Sequence, residues 1–358
     1  MNHAPRAFAF LAAVPLVILA ACAQPAQPSP TAAPAATKPA EATKPTTAPP
    51  TPAAAASPAT AASPAAAPKP AASPVAAPAA SPSAAASPAA GDVTASARPL
   101  SPLPQPGNMP AGSFMKEIQD RGRLIAGARQ DVPLFNFLNP RTNQYDGFDV
   151  DVLREIAKAI FNDDTKIEFR QVNSSTRIPL LQEGALDIVA ATMTINAERK
   201  QQIDFSEVYY AAGQKLLVKK DSTATSIQDM AGKRVCATKG STSETNITKF
   251  QPQAQVVQAD AYTDCLLSLQ QGRVDAVSTD DVILSGLADQ DPNTKIVGEK
   301  FTEEPYGLGF KQGRAQFVPF VNGVLTQMKG NGRWKAIYEK WLGKFGPAPE
   351  PPKGTYTS

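Results

Sequence analysis

Three arginines lie where a predicted strand or helix begins or ends. Arg129 follows the first predicted strand, Arg177 opens a short predicted helix, and Arg199 comes just after a predicted buried strand. Arginine presents a planar fork of donors that binds a carboxylate through two parallel hydrogen bonds. Three forks are more than one carboxylate requires, so the pattern favours a dicarboxylate ligand. An arginine near a helix start is usually a solvated or structural charge, which is the alternative interpretation for each of the three.

Hydroxyl side chains accompany these arginines. Thr192 and Thr194 lie at the end of the strand that leads to Arg199, while Ser241 and Thr242 follow another predicted strand and open a helix. Backbone amides and hydroxyls at a helix N-terminus can bind an anion. The segment lacks the G-x-x-x-x-G-K-[ST] spacing of a nucleotide-binding loop. A capped helix without a ligand remains the alternative interpretation.

Two acids end a predicted strand in the second half of the chain. Asp280 and Asp281 are adjacent, and a carboxylate at this position can receive a ligand ammonium group. We favour Asp280 for that role, with the alternative that either residue caps the following helix.

The composition excludes several kinds of catalytic site. The one histidine, His3, lies in a predicted signal peptide, so the mature chain would contain none. This excludes Ser-His-Asp and Cys-His catalysis and zinc sites that contain histidine. The formal net charge of +3 is small and argues against a nucleic-acid-binding surface. We expect no enzymatic activity, no cofactor and no bound metal.

The N-terminal region has the pattern of an export signal. Arg6 precedes an apolar run over residues 7–20, which is shorter than a membrane span usually is. The sequence LAAC at 19–22 resembles the bacterial lipobox, which implies a signal peptide over 1–21 and a lipid on Cys22. The alternative is an ordinary signal peptide with an incidental cysteine. Residues 22–112 are dominated by Ala, Pro, Ser and Thr, which predicts a disordered linker.

The remaining chain predicts an α/β fold with two lobes. Strands alternate with helices, which favours largely parallel sheets, and the pattern LQEGALDIV at 181–189 recurs as LQQGRVDAV at 269–277. We expect lobe 1 to comprise 113–212 and 307–346, and lobe 2 to comprise 213–306. Two extended segments would cross between the lobes and leave a ligand cleft. Residues 347–358 are predicted to form a flexible tail.

Two cysteines remain after Cys22. Cys236 and Cys265 would lie outside the cell membrane, where thiols oxidise. We therefore predict a disulfide between them, with two buried free thiols as the alternative.

Several stretches, in order along the folded part, resemble the family 3 solute-binding proteins of polar amino-acid ABC transporters. They are 145–151 (YDGFDVD), 177–184 (RIPLLQEG), 194–199 (TINAER), 203–206 (IDFS), 240–243 (GSTS), 274–280 (VDAVSTD) and 304–307 (EPYG). The resemblance implies a two-lobed periplasmic-binding-protein-like fold of type II, with two crossover strands.

The resemblance also implies roles for the candidate residues. Arg199 would bind a ligand α-carboxylate with help from Thr192, Thr194 and Thr242, and Asp280 would bind the α-ammonium group. The pattern at 177–182 resembles members in which the arginine contacts a side-chain carboxylate, with Arg129 as a second contact. The cysteine pair resembles a disulfide of a glutamate-binding subgroup.

These implications define the expected function. The chain would be a monomeric, lipid-anchored binding protein on the outer face of the cell membrane or in the periplasm. It would bind L-glutamate or L-aspartate by hinge closure and deliver it to the permease of an ABC importer. A sensory amino-acid-binding module and a periplasmic enzyme on the same fold are the alternatives.

Overall fold

The structure is a computed structural model that describes residues 92–314 and 316–357. The predicted signal peptide, the predicted lipid-bearing Cys22 and the predicted linker up to residue 91 lie outside the described residues. No helix within the described ranges has the length and apolar character needed to cross a membrane.

The α-helices of the described residues are short to medium in length. In chain order they are α1 Phe114–Arg121, α2 Phe148–Phe161, α3 Arg177–Glu183, α4 Ala197–Lys200, α5 Thr242–Phe250, α6 Tyr262–Gln270, α7 Asp281–Gln290, α8 Phe317–Gly330 and α9 Arg333–Leu342. Two 3-10 helices cover Ile227–Met230 and Gly343–Phe345. The repeated Gln-x-Gly pattern ends α3 at Gly184, whose φ of 77° is left-handed and therefore suits glycine.

The β-strands alternate with these helices. In chain order they are β1 Leu124–Ala128, β2 Asp131–Val132, β3 Asn136–Asn139, β4 Gln144–Asp146, β5 Ile167–Gln171, β6 Ile188–Val189, β7 Asp204–Phe205, β8 Tyr210–Ala212, β9 Gln214–Lys219, β10 Arg234–Thr238, β11 Gln255–Ala259, β12 Ala276–Asp280, β13 Thr294–Val297, β14 Glu304–Tyr306 and β15 Gly309–Phe310.

Two five-stranded sheets form the centres of two lobes. The first has the order β5-β1-β6-β15-β7 and the second the order β11-β10-β12-β9-β13. In each sheet three neighbouring strands run parallel, with registers such as Ala126↔Phe169 and Cys236↔Val257, and the other two pair antiparallel. Every residue of β1 and of β12 is buried, as expected for central strands covered by helices on both faces. The predicted two-lobed α/β fold is confirmed.

Two crossover strands connect the sheets. Strands β8 and β14 pair antiparallel, with Tyr210 opposite Tyr306. The chain leaves the first sheet through β8 to enter β9, and it returns through β14 to β15. Tyr306 also forms an isolated bridge with Thr194, so the crossover backbone lies directly beside a predicted ligand-binding segment.

The structure differs from the sequence expectation at both ends of the folded part. Residues 92–112, expected to be linker, pack on α8: the Leu100 amide donates to the Pro319 carbonyl at 2.8 Å, and Met109 is buried. The expected flexible tail also pairs with this segment, through a parallel bridge between Ser96 and Tyr356. The physical reason is that Leu100 and Met109 supply apolar surface, which the upstream Ala/Pro/Ser/Thr sequence lacks.

Candidate functional site

Polar residues from both lobes meet between the two sheets. The Thr194 and Thr242 hydroxyl oxygens lie 3.5 Å apart, and the Ser174 and Thr238 hydroxyl oxygens lie 3.4 Å apart. Each pair joins a lobe 1 residue to a lobe 2 residue. The structure therefore shows the lobes in contact, with the segments that follow β5 and β6 facing the end of β10 and the start of α5.

Arg199 lies in the short helix α4, at the lobe 1 side of this junction. The Asn196 side chain caps α4 by accepting a hydrogen bond from the Arg199 amide at 2.8 Å. The guanidinium donates to the Thr194 carbonyl at 2.8 Å and to the Gly240 carbonyl of lobe 2 at 3.3 Å. Burial lowers the pKa of Arg199, and the negative charge of Glu304 opposes that shift. No carboxylate of the described residues forms a salt bridge with Arg199.

Arg177 is the second guanidinium of the described residues that is buried without an ion pair. It is 3% exposed, and its Nη1 donates to the Ala191 carbonyl at 2.5 Å. Its Nε has no hydrogen-bond partner among the described residues. Burial and the positive charges of Arg199 and Arg129 together hold the pKa of Arg177 well below its ordinary value. Such a group calls for an anion that the described protein does not itself supply.

Arg129 is placed differently from the other two arginines. Its Nε and Nη2 donate to the two Asp131 carboxylate oxygens at 2.9 and 2.7 Å, and its Nη1 donates to the Ser174 hydroxyl at 2.9 Å. The guanidinium also lies 4.6 Å from the centre of the Tyr262 ring. The Arg129 fork is thus engaged by the protein, and its contact with a ligand stays a prediction.

Asp280 ends β12 on the lobe 2 side. Its Oδ2 accepts a hydrogen bond from the Tyr306 hydroxyl, while its Oδ1 is buried and has no donor among the described residues. Burial raises the pKa of Asp280 to about 8, and the neighbouring charge of Glu304 acts in the same direction. The adjacent Asp281 instead forms a salt bridge with Lys300 at 2.9 Å. Of the two predicted acids, Asp280 is the one with an unused acceptor.

The hydroxyl residues converge on a carboxylate that sequence reasoning missed. Glu304, in β14, accepts hydrogen bonds from Thr194 at 2.6 Å and from Thr242 at 2.9 Å through one oxygen. Its other oxygen accepts from Asn246 at 3.0 Å and from Thr302 at 2.8 Å. An acid inside a segment predicted to cross between lobes was the available signal.

Thr192 is held by a second carboxylate that sequence reasoning missed. Its φ of 44° is unusual for a β-branched residue, and its amide donates to the buried Asp149 at 2.9 Å. Asp149 also accepts from the Tyr209 hydroxyl at 2.7 Å and from the Asn136 side chain at 2.6 Å. Burial raises the pKa of Asp149 to about 6, although these hydrogen bonds lower it.

Ser241 and the two cysteines shape the lobe 2 side. Ser241 caps α5 by accepting from the Glu244 amide at 3.2 Å, which matches the capped-helix interpretation. Cys236 in β10 is joined to Cys265 in α6 in the structure. This link ties α6 to the strand that leads into the segment with Ser241 and Thr242.

The arrangement complements a ligand of defined charge. Arg177 and Arg199 are buried cations that form no salt bridge with a carboxylate of the described residues, and Asp280 has one carboxylate oxygen without a donor among them. A molecule with two anionic groups and one ammonium group would satisfy all three. Buried charges are stable in a protein when they are paired in this way.

Comparison with known proteins identifies the relatives. Residues 124–344 match the model of the bacterial extracellular solute-binding proteins, family 3. The ABC transporter glutamine-binding protein GlnH of Bacillus subtilis (strain 168) is 43% identical over 63% of this chain and 83% of its own. The glutamate-binding protein GluB of Corynebacterium glutamicum is 31% identical over 66% of this chain and 84% of its own.

A solved structure shows the same fold. An ancestral arginine-binding protein bound to glutamine is 38% identical, has a TM-score of 0.58, and aligns over 62% of this chain and 99% of its own. The relative named for glutamine is thus more similar than the relative named for glutamate, whereas the sequence analysis favoured the glutamate/aspartate binders. The family match spans both lobes of the described structure, and the chain belongs to the bacterial extracellular solute-binding proteins, family 3.

Proposed function

We propose that the chain is the amino-acid-binding component of an ABC importer and that its ligand is an acidic amino acid, L-glutamate or L-aspartate. One observation carries the choice of an acidic ligand: Arg177 is buried and, among the described residues, has no ion pair and no hydrogen-bond partner for its Nε. A second carboxylate on the ligand would supply the missing anion.

Each end of the ligand has a matching group. Arg199 binds the α-carboxylate, assisted by Thr194 and Thr242 and by the segment that Thr192 begins, and the α5 N-terminus at Ser241 adds favourable dipole charge. Asp280 Oδ1 accepts the ammonium group. Arg177 binds the distal carboxylate.

Capture occurs by hinge closure around β8 and β14. Contacts such as Arg199 to the Gly240 carbonyl form only when the lobes approach, so a ligand that touches both lobes favours the closed form. The closed monomer then docks on the permease and releases the amino acid unchanged. The lipobox-like sequence at 19–22 supports anchoring through Cys22 to the outer face of the membrane.

Glutamine is the second candidate ligand. The B. subtilis relative at 43% identity is named a glutamine-binding protein. A neutral amide would satisfy the Arg177 Nε as an acceptor but would leave its charge unpaired. Binding pockets built around a charge pair discriminate strongly against a neutral analogue.

Calorimetric titration of the full chain, freed of carried-over ligand, tests the choice. Glutamate, aspartate, glutamine and asparagine are compared on the wild type and on Arg177→Met. We expect an acid to bind at least tenfold more tightly than its amide, and Arg177→Met to lose that preference. Amide preference in the wild type would overturn the acidic assignment and leave glutamine. Absence of binding to all four by folded protein would contradict amino-acid capture.

A further inference from the structure

A second set of contacts joins the lobes beside the unpaired guanidinium of Arg177. We propose that Arg129, Asp131 and Pro133 of lobe 1 form, with Tyr262 and Gly286 of lobe 2, a latch that holds the closed form through contacts between protein groups of the two lobes. The proposal rests on hinge closure but not on which amino acid is bound.

The latch begins with an acid that caps a helix of the opposite lobe. Helix α6 starts after Ala261, which has no side chain able to cap it. Asp131 Oδ2 accepts the hydrogen bond from the Tyr262 amide, the first of α6, at 2.6 Å. A carboxylate at a helix N-terminus is favoured by both the free N–H groups and the helix dipole. Closing the lobes therefore gives α6 a cap that lobe 2 lacks.

Arg129 fixes the orientation of that acid. Its bidentate bond to Asp131 leaves Asp131 Oδ2 shared between the guanidinium and α6. The same guanidinium lies 4.6 Å from the centre of the Tyr262 ring, so it adds a cation–π contact across the lobes. Arg129 and Asp131 are both largely buried, with side-chain exposures of 0% and 13%, so this pair is weakly screened by solvent.

Shape complementarity at Gly286 completes the latch. A Cβ at Gly286 in α7 would lie 2.6 Å from the Pro133 carbonyl oxygen, and its three nearest neighbours all belong to Pro133. The lobe 1 segment formed by β2 and Pro133 thus fits between the start of α6 and the middle of α7 only because Gly286 has no side chain. Glycine inside a helix is otherwise unfavourable.

The first test removes the charge of the cap. Asp131→Asn should weaken binding about three- to tenfold for every amino acid that the wild type binds, because a charge-assisted contact of the closed form is lost. The matched control is Asp275→Asn, which breaks a similar pair with Arg234 inside lobe 2 and should leave affinity unchanged. A loss confined to acidic ligands would show that Arg129 and Asp131 serve the ligand directly, and would overturn the latch.

The second test does not depend on the fold surviving loss of a buried ion pair. Gly286→Ala favours the helical conformation of α7, but the added Cβ would clash with Pro133 when the lobes close. We expect binding of each ligand to weaken about tenfold or more because the closed population falls, while the unfolding temperature of the ligand-free protein does not decrease. Gly330→Ala is the control, since a Cβ there meets nothing within 4 Å.

Hydrogen exchange separates the latch from the proposed ligand. In ligand-free protein, the Tyr262 amide should exchange faster in Gly286→Ala than in the wild type or in Gly330→Ala. This readout stands even if none of the four amino acids binds. Unchanged exchange of this amide, or unchanged affinity for a bound amino acid in Gly286→Ala, would overturn the latch.

Discussion

The Thr194 hydroxyl lies 2.6 Å from the carboxylate of Glu304, and the same oxygen accepts from Thr242 at 2.9 Å. Thr194 belongs to lobe 1, Thr242 to lobe 2, and Glu304 to the crossover strand between them. One buried side chain of the hinge therefore holds both segments that the proposed α-carboxylate site requires.

Glu304→Gln should weaken this junction. The amide nitrogen of glutamine cannot accept a hydrogen bond, so one pair of donors, either the two threonines or Asn246 and Thr302, loses its acceptor. We expect the free energy of unfolding to fall by about 1–3 kcal/mol, and amino-acid binding to weaken. Urea unfolding and calorimetry measure the two effects. The exposed neighbour Glu303 offers the control, and equal behaviour of Glu303→Gln and Glu304→Gln would contradict the prediction.

Arg177→Met should stabilise the ligand-free protein, although it should abolish the preference for acidic amino acids. The substitution replaces a buried cation that has no ion pair among the described residues and lies near two other guanidiniums, and the new side chain is apolar and of similar length. We expect the free energy of unfolding to rise by about 0.5–2 kcal/mol. Arg154→Met is the contrast, because Arg154 pairs with Asp151 at 3.1 Å and its loss should not stabilise. A lower stability of the Arg177→Met protein would mean that other groups of the ligand-free protein already balance the charge of Arg177.

Sequence reasoning located the residues whose positions follow from local pattern. Arg177, Arg199 and Asp280 were placed because each comes at a strand end or helix start, and such ends of parallel strands meet at one edge of a sheet. Asp149 and Glu304 were missed because their partners, such as Tyr209 and Thr194, are 60 and 110 residues away in sequence. The local periodicity of a sequence gives no information about hydrogen bonds between residues that are so far apart in the chain.

The predicted end of the linker, at residue 112, differs from the structure for another reason. Composition changes gradually, and the apolar residues that dock the segment 92–112 are sparse and separated by prolines. Their contribution depends on α8, which lies more than two hundred residues further along the chain. Arg129, by contrast, pairs with an acid only two residues away, so its engagement was open to inference from the sequence.

The titration of Asp280 should make stability depend on pH. Its pKa in the folded protein is about 8, above the ordinary 3.8, so the folded state holds a proton that the unfolded chain releases between these values. The free energy of unfolding therefore falls as pH rises from about 4 to about 8 through this group. Urea unfolding across that range should show a steeper decline in the wild type than in Asp280→Asn. Identical pH slopes for the two proteins would contradict a raised pKa of the buried Asp280 carboxyl.

Ligand binding should reverse part of this effect. An ammonium group at Asp280 Oδ1 favours the ionised carboxylate, so the closed complex should release a proton at pH 7. Calorimetry in two buffers of different ionisation enthalpy measures the number of protons released. Binding without proton release would argue against Asp280 as the ammonium acceptor.

The pairing of Cys236 with Cys265 should contribute to the stability of lobe 2. The bond closes a loop with a sequence separation of 29 residues, for which removal typically costs about 2–4 kcal/mol. Replacing both cysteines with alanine should lower the free energy of unfolding by that amount in urea. Alkylation of the denatured, unreduced protein provides the chemical check. Modification of both residues under those conditions would show that they are free thiols.

Truncation should reveal where the folded part begins. Asn322 is completely buried, and its side-chain nitrogen donates to the Ser96 hydroxyl at 3.0 Å and to the Ala97 carbonyl at 2.6 Å. A chain that starts at residue 113 loses both acceptors together with the apolar contacts of Leu100 and Met109. Leaving a buried donor unpaired costs about 1–3 kcal/mol, so we expect a lower unfolding temperature. A chain that starts at residue 92 keeps these contacts and should match the full chain in calorimetric unfolding. Equal stability of the two truncated chains would show that the segment 92–112 only rests on α8 and does not stabilise it.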